Sequence, residues 1–245
     1  MTLVFFVGMS VTVFLTSLLS GVFGMAGGLI LLWVLLLLMP VATAIAVHGL
    51  VQMVANGSRA WFSRSYVDRR ILAILCAGLL AAVALLLLVD YRPTLVVVSI
   101  SVGLMPILVW LPVKRLELDA SRPWHAFICG IISGGLAIGV GVSGPIIDIF
   151  FIRTELDRRT VIATKAAVQF LTHGAKVIFY WDAALTLSSR DWIAVAAAAP
   201  IAVLGTGSGN IILHRMTDAN FRVWTRWIVT AIGAVYFTRG VLQLV

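Results

Sequence analysis

Acidic side chains are scarce in this chain: Asp and Glu together number 10 in 245 residues, against 18 Lys and Arg. No His-Glu-x-x-His, no Gly-x-Ser-x-Gly and no paired carboxylates fall within an apolar segment. Metal-assisted hydrolysis, acyl transfer and carboxylate acid–base chemistry are therefore left without their groups. The chain reads as a non-enzyme with no cofactor. It has 2 cysteines, Cys76 and Cys129, both in apolar stretches and without metal-ligand spacing, so they are expected to be inert packing thiols. No nucleotide-binding motif is present, so the chain alone is no primary pump, and energy must come from a gradient or a partner. Soluble domains, linkers and low-complexity segments are missing as well. The first ten residues, MTLVFFVGMS, carry neither a basic region nor a small-residue cleavage site and are expected to begin the first helix.

What the chain does have is apolar length. It is 61% hydrophobic and 11% charged, with a mean hydropathy of +1.08, which specifies an all-α polytopic membrane protein whose solvent is a lipid bilayer. The expected location is the cell (inner) membrane. Ten apolar segments run near 3–21, 28–38, 42–62, 71–89, 94–111, 124–139, 145–152, 160–180, 191–212 and 222–243. Eight are expected to cross. The second and seventh are too short, since eleven helical residues cover only about 16 Å. With every segment reversing the side, Arg59, Arg64, Arg69, Arg70, Lys114, Arg115, Arg122, Arg153, Arg158, Arg159, Arg215 and Arg222 share one face. The other face receives only Arg92, Arg190 and Arg239. That asymmetry accounts for the net charge of +8 as topology rather than nucleic-acid binding, and makes the rich face cytoplasmic. Trp61, Trp110, Trp124, Trp181 and Trp192 lie near segment ends, as in interfacial belts. Asn56-Gly57-Ser58 fits a glycosylation sequon but lies inside a membrane run, so no glycan is expected there.

Both short segments follow Gly-dense breaks, GMAGG at 24–28 and GVGVSGP at 139–145. A shift of 117 residues lays 17–62 on 134–179 with eleven identities in 46 positions, among them Gly24/Gly141, Gly27/Gly144, Thr43/Thr160, Gln52/Gln169 and Gly57/Gly174. The chain is therefore expected to be two five-segment repeats, 1–112 and 124–245, joined by a cytoplasmic loop at 113–123. Five is odd, so the second repeat is inserted upside down. Each break leads into a half-helix N-terminus, where free N–H groups and the dipole favour an anion. Pro145 suits a first helical position, and Ser143 is a candidate cap. The alternative is that these glycines only allow close helix packing.

The stretches HGLVQMVANGSR (48–59) and KAAVQFLTHGAK (165–176) repeat one polar rhythm: His48, Gln52, Asn56, Arg59, then Lys165, Gln169, His173, Lys176. Offsets of 4, 8 and 11 fall within an arc of roughly 80° on a helix, so each set is one stripe. Polar groups near the midplane must face protein or water. They serve either as interhelical hydrogen-bonding glue or as a site. Arg59 and Lys176, near helix ends, have snorkelling to the interface as their alternative. Asp148 is the acid set deep in a segment: it pairs with Lys165, takes part in proton coupling, or does neither. The excess of basic groups suits a small anion. Candidate binding groups are Gly27, Gly28, Gln52, Asn56, Arg59, Ser143, Gly144, Lys165, Gln169, His173 and Lys176. His48, Asp148 and His173 are candidates for carrying a proton.

The paired breaks, the two polar stretches, the duplicated halves and the overall size resemble the TauE/SafE family of sulfite-exporter-like permeases, over essentially the whole chain. The resemblance implies transport of sulfite, of sulfonates such as sulfoacetate, or of related small organic acids; the residues by themselves reach only a small anion. The Ser-Gly-Pro of the second break departs from the family's Gly-rich pattern and bears on which oxyanion is preferred. The expected function is a secondary transporter, with an anion channel or a carboxylate carrier as the alternative. A homodimer is left open.

Overall fold

The computed structural model describes residues 3–110, 117–213, 215–216 and 218–244. Among these residues the chain is helical, in the order α1 (Leu3–Phe23), α2 (Ala26–Leu38), α3 (Val41–Phe62), α4 (Arg69–Leu88), α5 (Leu95–Trp110), α6 (Pro123–Gly139), α7 (Gly144–Phe151), α8 (Arg158–Phe179), α9 (Trp181–Leu185), α10 (Ser189–Leu213) and α11 (Asp218–Leu242). A 3-10 turn at Arg64–Tyr66 bridges α3 to α4. All ten expected segments are helices; α9 is an added short helix after α8. Boundaries follow local chemistry. The Asp68 carboxylate accepts the Ile71 N–H at the start of α4, and Asp157 accepts the N–H groups of Arg159 and Thr160 at the start of α8. Those bonds, the Arg159 N–H foremost, hold the Asp157 carboxyl below its ordinary range. Pro40 precedes α3 and Pro123 opens α6, where a missing N–H costs nothing.

Four helices, α1, α3, α4 and α10, are both long and apolar enough to cross a membrane. The expected count of eight separates on closer measure. α5 and α6 hold 16 and 17 residues, whereas α8 and α11 have the length, at 22 and 25 residues, but carry more polar side chains. Leu80, Leu88, Ile107, Ile178, Ile193 and Leu204 point outward and are exposed, as a lipid-facing surface requires. Trp61, Trp110, Trp124 and Trp181 are exposed too, but Trp192 packs on the core. Cys129 is buried in the core below α7, and both cysteines are free thiols.

The helices pack in pairs: α1 along α10, α4 along α6, α5 along α11, and α3 across α8. Glycines make the closest approaches. A Cβ on Gly209 would sit 2.2 Å from the Leu18 carbonyl oxygen, and one on Gly78 2.2 Å from that of Phe127. α2 doubles back along α1, with Gly27 against Thr16 and Ser20, and its far end receives a hydrogen bond from Arg239 to the Leu36 carbonyl. α7 doubles back along α6, and its end is tied to the α6 approach by the Ala120 N–H bonded to Phe150 O. α1–α2 and α6–α7 are thus two helical hairpins. The reversals are made by Gly24 and Gly141, at φ +74° and +89°, a left-handed conformation that Gly adopts without strain. Tyr66 with Arg159 and Asp68 with Thr164 join the loops of the arginine-rich face. Lys114 and Arg115, and the Arg222 side chain, lie outside the described residues.

Gly141→Ala places a Cβ at positive φ and is expected to destabilise the fold by about 1–3 kcal/mol. Gly135→Ala, six residues earlier in α6 with nothing within 4 Å, is expected to leave stability unchanged or raise it by up to about 1 kcal/mol. Thermal unfolding of the purified variants checks the contrast.

Candidate functional site

The polar stripes of α3 and α8 meet where the two breaks meet. A Cβ on Gly144 would lie 2.9 Å from the Met25 Cβ, so the interruptions touch. Around this contact lies a small pocket. Gly28, His48, Gln52 and Asn56 line it from the first half of the chain, and Ser143, Gly144, Gln169 and His173 from the second. Gln52, Asn56 and His173 are 7%, 6% and 7% exposed. They face this interior and not lipid. Asn56 Nδ2 donates to the Gln52 backbone carbonyl at 3.0 Å and to its Oε1 at 3.4 Å. That sets both amides along one wall. Gln169 makes no hydrogen bond to another described residue, and the His173 Nδ1 is buried without one. A buried donor or acceptor left unpaired costs stability, and such groups gather where a ligand completes them.

Behind the pocket runs a chain of hydrogen bonds joining the two breaks. His48 Nε2 lies 3.0 Å from the Gly28 carbonyl oxygen. A carbonyl can only accept, so Nε2 carries the proton and Nδ1 is left as an acceptor. Lys176 Nζ donates to that Nδ1 at 2.7 Å and to the Gly141 carbonyl at 3.0 Å. Lys176 is fully buried, at 0% exposure. Snorkelling, its sequence-based alternative, is therefore overturned: the lysine points inward across the bundle, in the space left by Gly49, whose Cβ would meet the Lys176 Cε at 2.9 Å. Lys176 does not line the pocket.

Two further expectations are corrected. Gly27 faces away from the pocket. A Cβ there would lie 1.7 Å from the Thr16 carbonyl oxygen and 2.5 Å from the Ser20 hydroxyl, so this glycine serves the α1–α2 hairpin. Gly28 is the one turned to the site, 2.8 Å by the same measure from Gln52 Nε2. Ser143 is at the N-cap position of α7 but its hydroxyl makes no capping bond. The Ile146 and Ile147 N–H groups both go to the Ser143 carbonyl, Pro145 has none, and the Gly144 N–H is left in the first turn. At α2 the N–H groups of Ala26, Gly27 and Gly28 precede the first helical bond, which is Leu29 N–H to Met25 O.

A second, wider cavity adjoins the pocket through Gly24, Met25, Gly144 and Gln169. It leads to the arginine-rich face and is lined by Arg59, Asp148, Arg158 and Lys165, with Asn210 of α10. Lys165 and Asp148 form an ion pair there, with side chains 27% and 39% exposed. Arg59 donates to the Ser20 carbonyl at 3.4 Å and lies beside the cavity rather than in the pocket. Leu31, Leu35, Val47 and Val51, on other faces of α2 and α3, belong to the apolar core and line a separate apolar pocket with Met9, Val13 and Ala198.

No local pattern marks the partners that heal the second break. Tyr180 donates to the Ile138 carbonyl at 2.7 Å and Tyr91 to that of Gly139 at 2.8 Å. Burial pushes the Tyr91 phenol above its ordinary range, so it stays a donor. Arg158 and Asn210 were also not singled out; a charged residue at a helix start reads as topology until a cavity is seen beside it.

A family model described as Sulfite exporter TauE/SafE matches residues 9–236. No curated protein and no solved structure matches the chain.

Gly27→Ala drives a methyl into the α1 backbone and is expected to abolish folding or lower the midpoint of thermal unfolding sharply. Gly28→Ala meets the flexible end of Gln52, with the His48 Nε2 at 3.4 Å, and no backbone, and is expected to fold with a smaller loss. Comparing the two melting curves checks the assignment of adjacent glycines to hairpin and pocket.

Proposed function

The chain belongs to the TauE/SafE sulfite exporter family, and on that footing we propose that it is a secondary transporter for a small sulfur-containing anion, sulfite or an organosulfonate such as sulfoacetate. As a multi-pass membrane protein of a transporter family it has its place in a bilayer, in this reading the cell inner membrane. The observation that carries the proposal is the convergence of the two breaks on one pocket: Gly28, Gln52 and Asn56 face Ser143, Gly144, Gln169 and His173 across it. Amide side chains, an imidazole and the N-terminal N–H groups of α2 and α7 all offer hydrogens to a tetrahedral or pyramidal oxyanion. The basic cavity beside it, with Arg59, Arg158 and Lys165, raises the local anion concentration on the arginine-rich face.

The helix pairing supports the reading of residues 1–112 and 124–245 as inverted repeats joined at 113–123. Exchanging α1 with α6, α4 with α10, α2 with α7, α3 with α8 and α5 with α11 carries the main packed pairs onto one another, with the α6–α8 contact the exception that has no equally close α1–α3 counterpart. Gly24 and Gly141, the two positive-φ glycines, exchange as well. In this reading the two halves rock against each other about the pocket. The conformation described has its polar route on the arginine-rich face, through the cavity at Arg59, Arg158 and Lys165.

In proteoliposomes, sulfite or sulfoacetate flux is expected to saturate and to show counterflow. Gln169→Ala, which removes a donor at the neck between cavity and pocket, is expected to raise the half-saturating concentration about tenfold, as expected for one lost hydrogen bond to a charged ligand. Flux linear in concentration without counterflow, or an unaltered Gln169→Ala variant, contradicts the reading.

A further inference from the structure

The pocket contains no charged side chain. Its polar lining among the described residues is His48, Gln52, Asn56, Ser143, Gln169 and His173, and the positive charge that meets an anion there must come from the next layer. That layer holds Lys176, fully buried and in contact with the pocket only through His48. Its hydrogen-bond partners are an imidazole nitrogen and a carbonyl oxygen, with no carboxylate among them. His173, one turn earlier on α8, and His48 on α3 are the titratable groups beside it; α2 and the second break contribute the Gly28 and Gly141 carbonyls. The other cations do not alter the sum. Lys165 is paired with Asp148, Arg59 is held by the Ser20 carbonyl, and Arg59 and Arg158 line the separate wide cavity rather than the pocket.

We propose that Lys176 sets the valence of the ligand, so that the pocket takes a solute with one negative charge in preference to one with two or none. The proposal rests on reading the pocket as an anion site. An ammonium buried without a counter-ion is costly, and so is a buried anion without a cation. One of each, separated by the His48 ring, leaves the interior neutral. The cost of removing an ion from water rises with the square of its charge, whereas its attraction to Lys176 rises only in proportion, so a second negative charge is poorly repaid. His48 is the positioning residue: with its Nε2–H held by Gly28, it fixes the lysine behind the pocket. For sulfite, the species carried is singly charged hydrogensulfite, and one proton crosses on the substrate itself with no carboxylate of the protein needed to hold it.

Three tetrahedral probes of similar size step through charges of zero, one and two, each step replacing a methyl by an oxygen: dimethyl sulfone, methanesulfonate and sulfate. With the full chain purified in detergent, calorimetric titration is expected to find methanesulfonate at least tenfold tighter than either of the others. In Lys176→Met the preference for methanesulfonate over dimethyl sulfone is expected to fall at least tenfold, whereas a merely structural role would weaken all three alike. Should that variant fail to fold, the wild-type ranking decides alone. Sulfate binding as tightly as methanesulfonate, or an equal loss for all three in Lys176→Met, overturns the valence proposal and leaves the anion site standing. Absence of binding by any of the anions overturns both.

Discussion

A helix interrupted inside a bilayer leaves carbonyl groups that water cannot reach, and everything distinctive about this molecule follows from how those groups are satisfied. At the second break the Ile138, Gly139 and Gly141 carbonyls are taken by Tyr180, Tyr91 and Lys176. At the first, the Ser20 carbonyl near the end of α1 accepts from the Gly24 N–H and from Arg59, while His48 and Tyr236 bond the Gly28 and Leu29 carbonyls in the first turn of α2 and so anchor it. The partners come from elsewhere in the fold: α3, α8 and its C-terminal end, α11 and the α4–α5 connection. The breaks are consequently fixed by α3, α8 and α11 rather than by their own local sequence. The Gly28–His48–Lys176–Gly141 relay goes further, because it fastens one break to the other.

That arrangement separates two demands that usually compete. Holding the breaks open needs strong, buried, permanent hydrogen bonds; binding a ligand needs donors left unspent. Here lysine, tyrosine and one imidazole do the holding from behind, while the pocket keeps amides and His173, whose Nδ1 has no partner. A cation placed directly in the pocket would bind an anion tightly and release it slowly. One placed behind an imidazole attracts it through a longer distance, as suits a carrier that must let go.

Much of this was legible in the sequence. Apolar run lengths located ten helices, and the 117-residue shift paired Gly24 with Gly141, the two glycines that turn out to have positive φ. Helical periodicity put Gln52, Asn56, Gln169 and His173 on the stripes that line one pocket. What periodicity cannot supply is depth and direction. Lys176 and Arg59 hold matching places in the repeat, yet one is wholly buried and the other lines an open cavity, because Gly49 leaves room for the first. Gly27 and Gly28 are adjacent and identical in kind, and which one meets α1 depends on the angle at which α2 returns. The Tyr91 and Tyr180 bonds join residues 48 and 42 apart along the chain, beyond any local pattern.

The central claim is that the two breaks form the ligand's own site, and the Ser143 side chain is the place to test it. In a Cys76→Ser, Cys129→Ser background, Ser143→Cys is expected to react with methyl methanethiosulfonate when the pocket is empty. Methanesulfonate at saturating concentration is expected to slow that reaction at least tenfold. A labelling rate indifferent to methanesulfonate, in protein that binds it, would place the ligand elsewhere and contradict the account.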